Sequence, residues 1–340
     1  MKIETLSDKI FEGIKASVDE SPREHLGASQ VGKSCDRAIW YGFRWIARED
    51  FSGRMLRLFR RGHLEEEHLI NDLRNAGMVI EQINPITKKQ LAFDDGFFKG
   101  SCDGIILSGV PEAPNKKHIL EIKTASAKSF ASMVKEGVAK SKPEHFAQMQ
   151  VYMGKFDIDR ALYVMVNKDT DDIYTERVRF DKSIYEALCA RAHRIIKSDR
   201  IPEPVSVDPS WYECKFCSAH ANCHKNKVTT EVTCRTCANI TFCDDGKAYC
   251  EHWESEVPYH AQLEGCDNHI LHLDLVPFEM RIDDGKVFWK INNEWIQNGE
   301  ADKLVFTSKE IVADPEACAS MMNDTFAQEV RVEMGARICS

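Results

Sequence analysis

Residues 100–124 read GSCDGIILSGVPEAPNKKHILEIKT, an alternation that predicts two β-strands joined by a proline-containing turn. Because side chains alternate across a strand, Ile119, Glu121 and Lys123 point to one side of the second strand. Leu120 and Ile122 point to the other side. Asp103 stands where the first strand enters its apolar run. A hairpin at this position therefore predicts that Asp103 lies close to Glu121.

Two carboxylates and an amine at one place predict a site for a hard cation. The oxygen atoms of Asp103 and Glu121 are ligands suited to Mg²⁺ or Mn²⁺. Lys123 can steady or deprotonate an attacking water, and a bound metal lowers the pKa of that water. This combination favours hydrolysis of a phosphodiester. The alternative is a structural hairpin whose charges are simply solvated on its open face.

Two flanking segments carry further candidate residues. Gln148 and Tyr152 are four residues apart in a predicted helix and therefore share one helix face. Glu66 lies in GHLEEEHLINDL, residues 62–73, which is another helical pattern. Taken with the hairpin, these residues resemble the motifs of the PD-(D/E)XK nuclease superfamily in its RecB-like branch.

The resemblance implies an α/β fold, with a restriction-endonuclease-like core in which helices flank a mixed central sheet. It implies that Asp103 and Glu121 bind the catalytic metal, with Glu66 as an additional ligand. It also implies that Lys123 is the catalytic lysine and that Gln148 and Tyr152 complete the catalytic set. One departure is visible, because Cys102 precedes Asp103 where the superfamily name has proline.

A first set of cysteines brackets these motifs. Three of them lie close together with the spacing C-x2-C-x5-C, and one lies far upstream; they are Cys214, Cys217, Cys223 and Cys35. This pattern resembles the iron–sulfur nucleases, such as the AddB nuclease domain and the CRISPR-associated spacer-acquisition nucleases, and implies a 4Fe–4S cluster. Spacing alone leaves zinc open, with His220 or His224 as ligands.

A second set follows after residue 230 and is typical of a zinc site. C-x2-C followed later by further cysteine and histidine residues is a zinc-ligand pattern. The predicted ligands are Cys234 and Cys237 together with members of the group Cys250, Cys266 and His269. The alternative is a group of reduced, buried thiols.

Composition and charge limit the class of protein. The 340 residues include 13 cysteines and no apolar run of membrane-spanning length, so we expect a protein of a reducing compartment, cytoplasmic or, if phage-encoded, in the host cytoplasm. The net charge of −9 is uneven: residues 231–340 contain 9 basic and 21 acidic side chains, whereas residues 1–230 contain 36 and 33. We expect a nuclease domain over residues 1–228, closed by the cluster, and a zinc-binding region with a β-hairpin over residues 229–340.

Two further segments are relevant to the binding of DNA and of nucleotides. Basic residues near the Glu66 helix and near Cys35 are candidate DNA-binding residues, namely Arg37, Arg57, Arg60 and Arg61. Residues 27–34 fit the pattern G-x-x-x-x-G-K-S of a phosphate-binding loop. The preceding residues are polar and include a proline, so they lack the buried strand on which such a loop depends.

These observations predict a Mg²⁺- or Mn²⁺-dependent DNA exonuclease that acts on single strands or duplex ends in recombination, repair or phage DNA processing. The acidic C-terminal region is a candidate surface for a protein partner, and no membrane contact is expected. One alternative is a catalytically weak DNA- or protein-binding module on a nuclease fold. Another is a P-loop NTPase.

Overall fold

The computed structural model describes residues 5–19, 21–46 and 50–338. It divides into two compact units, Met1–Ser34 with Glu49–Arg194 and Cys35–Arg48 with Ile195–Ser340. The predicted boundary after residue 228 does not coincide with this division. The assignment of a nuclease domain and a zinc-binding region to its two sides stays a prediction. Within the described residues, no helix is both long and apolar enough to cross a membrane.

The chain alternates between helices and strands. The helices are α1 (Leu6–Ala16), α2 (Asp36–Phe43), α3 (Gly53–Asn75), α4 (Ala127–Glu136), α5 (Val138–Ser141), α6 (Pro143–Phe156), α7 (Lys182–Lys197), α8 (Tyr212–Lys215), α9 (His220–His224), α10 (Tyr259–Gln262), α11 (Ser308–Ala313), α12 (Pro315–Met321) and α13 (Thr325–Met334). The strands are β1 (Leu26–Gly27), β2 (Val79–Glu81), β3 (Ala92–Asp95), β4 (Phe98–Ser101), β5 (Gly104–Ser108), β6 (His118–Ala125), β7 (Arg160–Asn167), β8 (Ile173–Arg179), β9 (Ile240–Phe242), β10 (Ala248–Cys250), β11 (Ser255–Val257), β12 (Glu279–Asp283), β13 (Lys286–Ile291), β14 (Glu294–Asn298) and β15 (Val305–Phe306).

The first unit is built on a five-stranded mixed sheet in the order β2-β5-β6-β7-β8. Strand β6 pairs antiparallel with β5 and parallel with β7, and the outer pairs β2–β5 and β7–β8 are antiparallel. The predicted α/β class with a mixed central sheet is therefore confirmed. A parallel pair needs a crossover, and α4, α5 and α6 provide it between β6 and β7.

One face of this sheet forms an apolar core with α3. Leu69 and Ile70 of the helix pack there with Leu120 and Ile122 of β6 and with apolar residues of the neighbouring strands. Since side chains alternate, this packing turns Glu121 and Lys123 away from that core. The position of both charges is thus fixed by the burial of the residues between and beside them.

Helix α1 packs against α3, but none of its residues is buried. Leu6 is 75% exposed and Ile10 is 50% exposed. The contact is made at Gly53, where a Cβ atom would lie only 1.9 Å from the carbonyl oxygen of Phe11. Only a glycine allows this approach, because the obstructing atom belongs to the backbone.

The candidate phosphate-binding loop, residues 27–34, follows a strand of only two residues. Its Gly32 lies against α6, where a Cβ atom would be 2.7 Å from Cα of Glu144. The loop therefore has a packing role that explains one of its glycines without a nucleotide.

The second unit contains two small sheets, in the orders β11-β10-β9 and β12-β13-β14-β15. The predicted hairpin of the C-terminal region is β13–β14, and Trp289 within it is completely buried. Arg331 of α13 is also buried and forms a two-pronged ion pair with Glu310, at 2.5 and 3.1 Å. This pair fixes the C-terminal helix to the start of α11.

Candidate active site and cysteine clusters

The β5–β6 hairpin brings the predicted metal ligands together. Asp103 lies immediately before β5, and its Oδ2 accepts a hydrogen bond from the backbone N–H of Ile122, at 2.7 Å. That bond fixes the carboxylate between the two residues of β6 that carry charge. Asp103 Oδ2 is 4.0 Å from Nζ of Lys123.

Glu121 is a fully buried carboxylate, with 0% of its surface exposed. Its Oε1 forms an ion pair with the ammonium group of Lys123, although the two groups are not aligned for a hydrogen bond. Its Oε2 has no hydrogen-bond partner among the described residues. Burial raises the pKa of Glu121 to about 7, and the charge of Asp103 adds to this effect while Lys123 opposes it. Such a group is stabilised by a further cation.

Lys123 is protonated at neutral pH in this environment. Burial lowers its pKa, but the charges of Glu121 and Asp103 raise it more, so the net pKa lies above that of an ordinary lysine. Its Nζ also donates to the carbonyl of Ile122, at 3.1 Å. The residue is therefore a charged donor that can hold a water or an anionic oxygen.

Glu66 is half-buried on α3 and belongs to the same electrostatic group. Burial raises its pKa to about 7, and the nearby charge of Asp103 raises it further, while Lys123 opposes the shift. Gly62, one turn earlier, passes close to Thr124 at the end of β6. The helix thus places Glu66 beside the hairpin.

Gln148 and Tyr152 are buried on α6 and form one hydrogen-bonded chain. Gln148 Nε2 donates to the Tyr152 hydroxyl at 3.3 Å, and that hydroxyl donates to the carbonyl of Ser101 at 2.7 Å. Ser101 ends β4, two residues before Asp103. The pair consequently anchors the segment that presents the Asp103 carboxylate, through a backbone partner that the sequence did not reveal.

The donor set of this site fits a divalent cation. Asp103 and Glu121 lie against one ammonium group, and the charge of Glu66 interacts with the same group. Glu66 and Glu121 have raised pKa values, and one buried oxygen of Glu121 lacks a hydrogen-bond partner among the described residues. Over residues 5–19, 21–46 and 50–338, however, no three His, Cys, Asp or Glu side chains are arranged closely enough around one point to hold a metal. The fit therefore depends on the chemistry of the donors and not on a formed coordination shell.

The predicted DNA-binding arginines lie in different compact units. Arg57 and Arg60 are exposed on α3, and Arg61 Nη2 donates to the carbonyl of Lys168, at 3.4 Å. Arg37 lies in the second unit, where it donates to the carbonyl of Pro202 at 2.8 Å and to Sγ of Cys223 at 3.5 Å. Its guanidinium is thus engaged next to the first cysteine set.

The four thiols of the first cysteine set lie in the second unit, but no three of them surround one point closely enough to hold a metal. Burial raises the pKa of Cys214, and so do the charges of Cys35, Cys223 and Cys217, which lie near it. Cys35 is the N-cap of α2 and accepts a hydrogen bond from Ala38 N, at 3.4 Å. The thiols come from segments about 180 residues apart and form a soft, sulfur-rich group.

The second cysteine set lines one cavity of about 270 Å³. All five predicted ligands contribute to its wall, namely Cys234, Cys237, Cys250, Cys266 and His269. Burial raises the pKa of Cys234 to about 12, with the neighbouring thiols adding to the shift.

His269 has the hydrogen-bonding pattern of a metal ligand. Its Nε2 lies 2.9 Å from the carbonyl of Thr233, which can only accept, so this nitrogen carries the proton. Its Nδ1 is buried and has no partner among the described residues. In metal-binding histidines, one ring nitrogen offers its lone pair while the other donates its proton to a backbone carbonyl, which orients the ring. His269 has this arrangement, with Nδ1 as the nitrogen that offers the lone pair.

Comparison with known proteins gives weak likenesses only. No protein-family model matches the chain, and no curated protein sequence matches it. The similar solved structures belong mainly to one class of protein, the exonucleases.

The particular structures are of three kinds. An alkaline exonuclease from Laribacter hongkongensis, LHK-Exo, is 17% identical to this chain with a TM-score of 0.38, and the match covers 54% of this chain and 90% of LHK-Exo. The structure of LHK-Exo in complex with dAMP gives an identity of 16% and a TM-score of 0.37. SSO0001 is 17% identical with a TM-score of 0.38, covering 65% and 96%. A phage-related exonuclease from Haemophilus somnus 129PT is 20% identical with a TM-score of 0.29, covering 39% and 66%. At TM-scores this low, we draw no conclusion about fold or activity from them.

Proposed function

We propose that this protein is a metal-dependent deoxyribonuclease that hydrolyses phosphodiester bonds at DNA ends, an exonuclease of the PD-(D/E)XK type. The observation that carries the proposal is that Asp103 and Glu121 both lie against the ammonium group of Lys123, with Glu66 close enough for its charge to interact with theirs. Carboxylates in excess over cations on one buried face are unfavourable unless a metal binds there. The RecB-like affiliation and a role in recombination, repair or phage DNA processing are parts of this proposal.

The residues have distinct roles in the proposed reaction. Asp103 and Glu121, with Glu66, would hold Mg²⁺ or Mn²⁺, which when bound supplies Lewis-acid activation of water and of the phosphate. Lys123 remains an ammonium group and orients the attacking water or a phosphate oxygen by donating a hydrogen bond. Gln148 and Tyr152 act through Ser101, whose carbonyl they fix, and keep Asp103 in position.

Two further metals are proposed in the second unit. The thiols of Cys35, Cys214, Cys217 and Cys223 would hold an iron–sulfur cluster, and the cavity that His269 shares with four cysteines would hold zinc. Both are proposed to be structural, and the cluster would close a loop of about 180 residues, which removes entropy from the unfolded chain. DNA is the proposed substrate, and the acidic residues after 230 are a proposed surface for a basic protein partner.

The test is cleavage of end-labelled single-stranded and duplex DNA with Mg²⁺ or Mn²⁺. We expect Asp103→Asn and Glu121→Gln each to reduce the rate by about 10³-fold or more, because each removes a proposed metal ligand. Asp94→Asn is the matched control, since Asp94 is an exposed carboxylate of the same unit that pairs with Lys99. An inactive wild-type protein, or an Asp103→Asn variant with full activity, would contradict the proposal and favour a binding module.

A further inference from the structure

A histidine–tyrosine pair extends the polar face of the site. His145 precedes Gln148 by three residues and Tyr152 by seven, so all three lie on one face of α6. Tyr163 of β7 stands directly beside Glu121 in the parallel pair β6–β7. The Tyr163 hydroxyl and Nδ1 of His145 are 2.9 Å apart.

The buried hydroxyl fixes the position of the imidazole proton. Tyr163 is 0% exposed, and its hydroxyl has Nδ1 of His145 as its hydrogen-bond partner among the described residues. A buried hydroxyl proton requires an acceptor, so Tyr163 donates to Nδ1. The ring proton of the neutral imidazole is consequently on Nε2.

The imidazole is neutral and its Nε2 is open. Burial, together with the charges of Lys123 and Lys142, lowers the pKa of His145 to about 3. The ring is only partly buried, and Nε2 keeps contact with solvent instead of being enclosed without a partner. Next to Lys123, the residue therefore presents a second donor that carries no charge of its own.

We propose that His145 donates a hydrogen bond from Nε2 to a non-bridging phosphate oxygen of the bound strand, at the bond that is cut. The inference rests on the proposed nuclease function and adds a substrate-binding residue to it. Lys123 lies against the carboxylates, and His145 is bonded to Tyr163, the strand neighbour of Glu121. Two such donors beside a bound cation would suit an anionic phosphate oxygen. With its only open nitrogen protonated, His145 is neither a metal ligand nor a general base.

The activity test compares His145→Ala, His145→Gln and the control His260→Ala, an exposed histidine of the second unit. We expect His145→Ala to lose about 10²-fold in kcat, the usual effect of removing one donor to developing charge. His145→Gln, whose amide N–H can replace the Nε2 donor, should recover most of the loss. The shape of the pH–rate profile should stay the same, because this histidine does not titrate in the working range.

A second measurement does not depend on activity. In the full-length protein labelled with ¹⁵N-histidine, the resonances lost in His145→Gln identify this ring, and we expect a proton on Nε2 from pH 5 to 9. Tyr163→Phe removes the hydroxyl that donates to Nδ1, so we expect the ring proton to be distributed over both nitrogens in that variant. A ring protonated on Nδ1, or an active His145→Ala variant with wild-type kcat, would overturn the inference while the nuclease proposal stands. A wild-type protein that cleaves no DNA would instead overturn the nuclease proposal, and the proposed contact with it.

Discussion

Glu121 and Lys123 share one side of a strand, and this could be predicted because alternation along a strand is a local property of the sequence. Tyr163 could not be placed beside Glu121 in the same way. Its position depends on the register between β6 and β7, which are joined by three helices, and register is set by packing across the whole sheet. His145 was accessible to sequence reasoning, since it lies at helical spacing from Gln148, but no motif singled it out.

Glu66 gives a prediction about pH and stability. Its pKa is raised from 4.5 to about 7, so its protonated form favours the fold, and that contribution is lost as pH rises from about 4.5 through 7. Glu66→Gln removes the charge that is unfavourable at high pH. We expect the free energy of unfolding of the metal-free protein to rise by about 1–2 kcal/mol at pH 8 and to change little at pH 4.5, measured by denaturant titration.

The control for this prediction is Glu67→Gln, because Glu67 is the exposed neighbour on the same helix. An equal gain from Glu66→Gln at both pH values would mean that the effect is helix propensity and not relief of repulsion. Addition of Mg²⁺ should stabilise the wild-type protein more at pH 8 than at pH 5, and should stabilise Glu66→Gln less.

Tyr152 gives a prediction about positioning. Tyr152→Phe leaves the carbonyl of Ser101 without its side-chain donor, and we expect a loss of about 1–2 kcal/mol in stability, the effect of an unpaired buried group. Since Asp103 follows two residues later, kcat should fall about tenfold or more. Tyr249→Phe in the second unit serves as the control. Unchanged kcat in a correctly folded Tyr152→Phe variant would show that the hydroxyl only stabilises the fold.

At the scale of elements, the central hairpin follows the predicted alternation. Helix α1 carries apolar residues at helical spacing, yet Leu6 and Ile10 are exposed. A helical period indicates which residues share a face but not whether a partner covers that face. The docking of α1 depends instead on a backbone contact at Gly53, which no periodicity can show.

Two helix glycines should therefore respond in opposite directions to the same change. Gly53→Ala places a Cβ against the Phe11 carbonyl, and we expect it to cost about 1–3 kcal/mol or to release α1. Gly13→Ala, in the open interior of α1, should stabilise by about 0.5–1 kcal/mol through helix propensity. Thermal unfolding and limited proteolysis of the α1 segment measure both. Equal effects of the two substitutions would contradict the close contact.

At the scale of the whole molecule, the mixed α/β class could be predicted from the order of strands and helices, whereas the compact units could not. The first unit omits residues 35–48, which belong with the C-terminal half of the chain. Composition and hydropathy do not show that a short segment of the N-terminal half belongs to the second unit. The cysteines did indicate it, because Cys35 was expected to join ligands after residue 210.

Metal content tests the two cysteine sets independently. After anaerobic purification, we expect about four irons and one zinc per chain, with a visible absorption band from the cluster. Cys35→Ser should remove iron and keep zinc, whereas Cys234→Ser should remove zinc and keep iron. Cys189→Ser, outside both sets, should retain both metals. Zinc without iron in the wild-type protein would contradict the cluster and leave the nuclease proposal in place.

The distance along the chain between Cys35 and its partners has a consequence for biogenesis. At a synthesis rate of about 5–20 residues per second, Cys35 leaves the ribosome roughly 10–40 seconds before Cys223 does. Throughout most of that interval Cys35 lacks the other three thiols of its set, because the cysteines synthesised in between are Cys102 and Cys189. Insertion of the proposed cluster would therefore follow synthesis of Cys223, and oxidants or competing metals in the cell have their best opportunity to reach Cys35 before then.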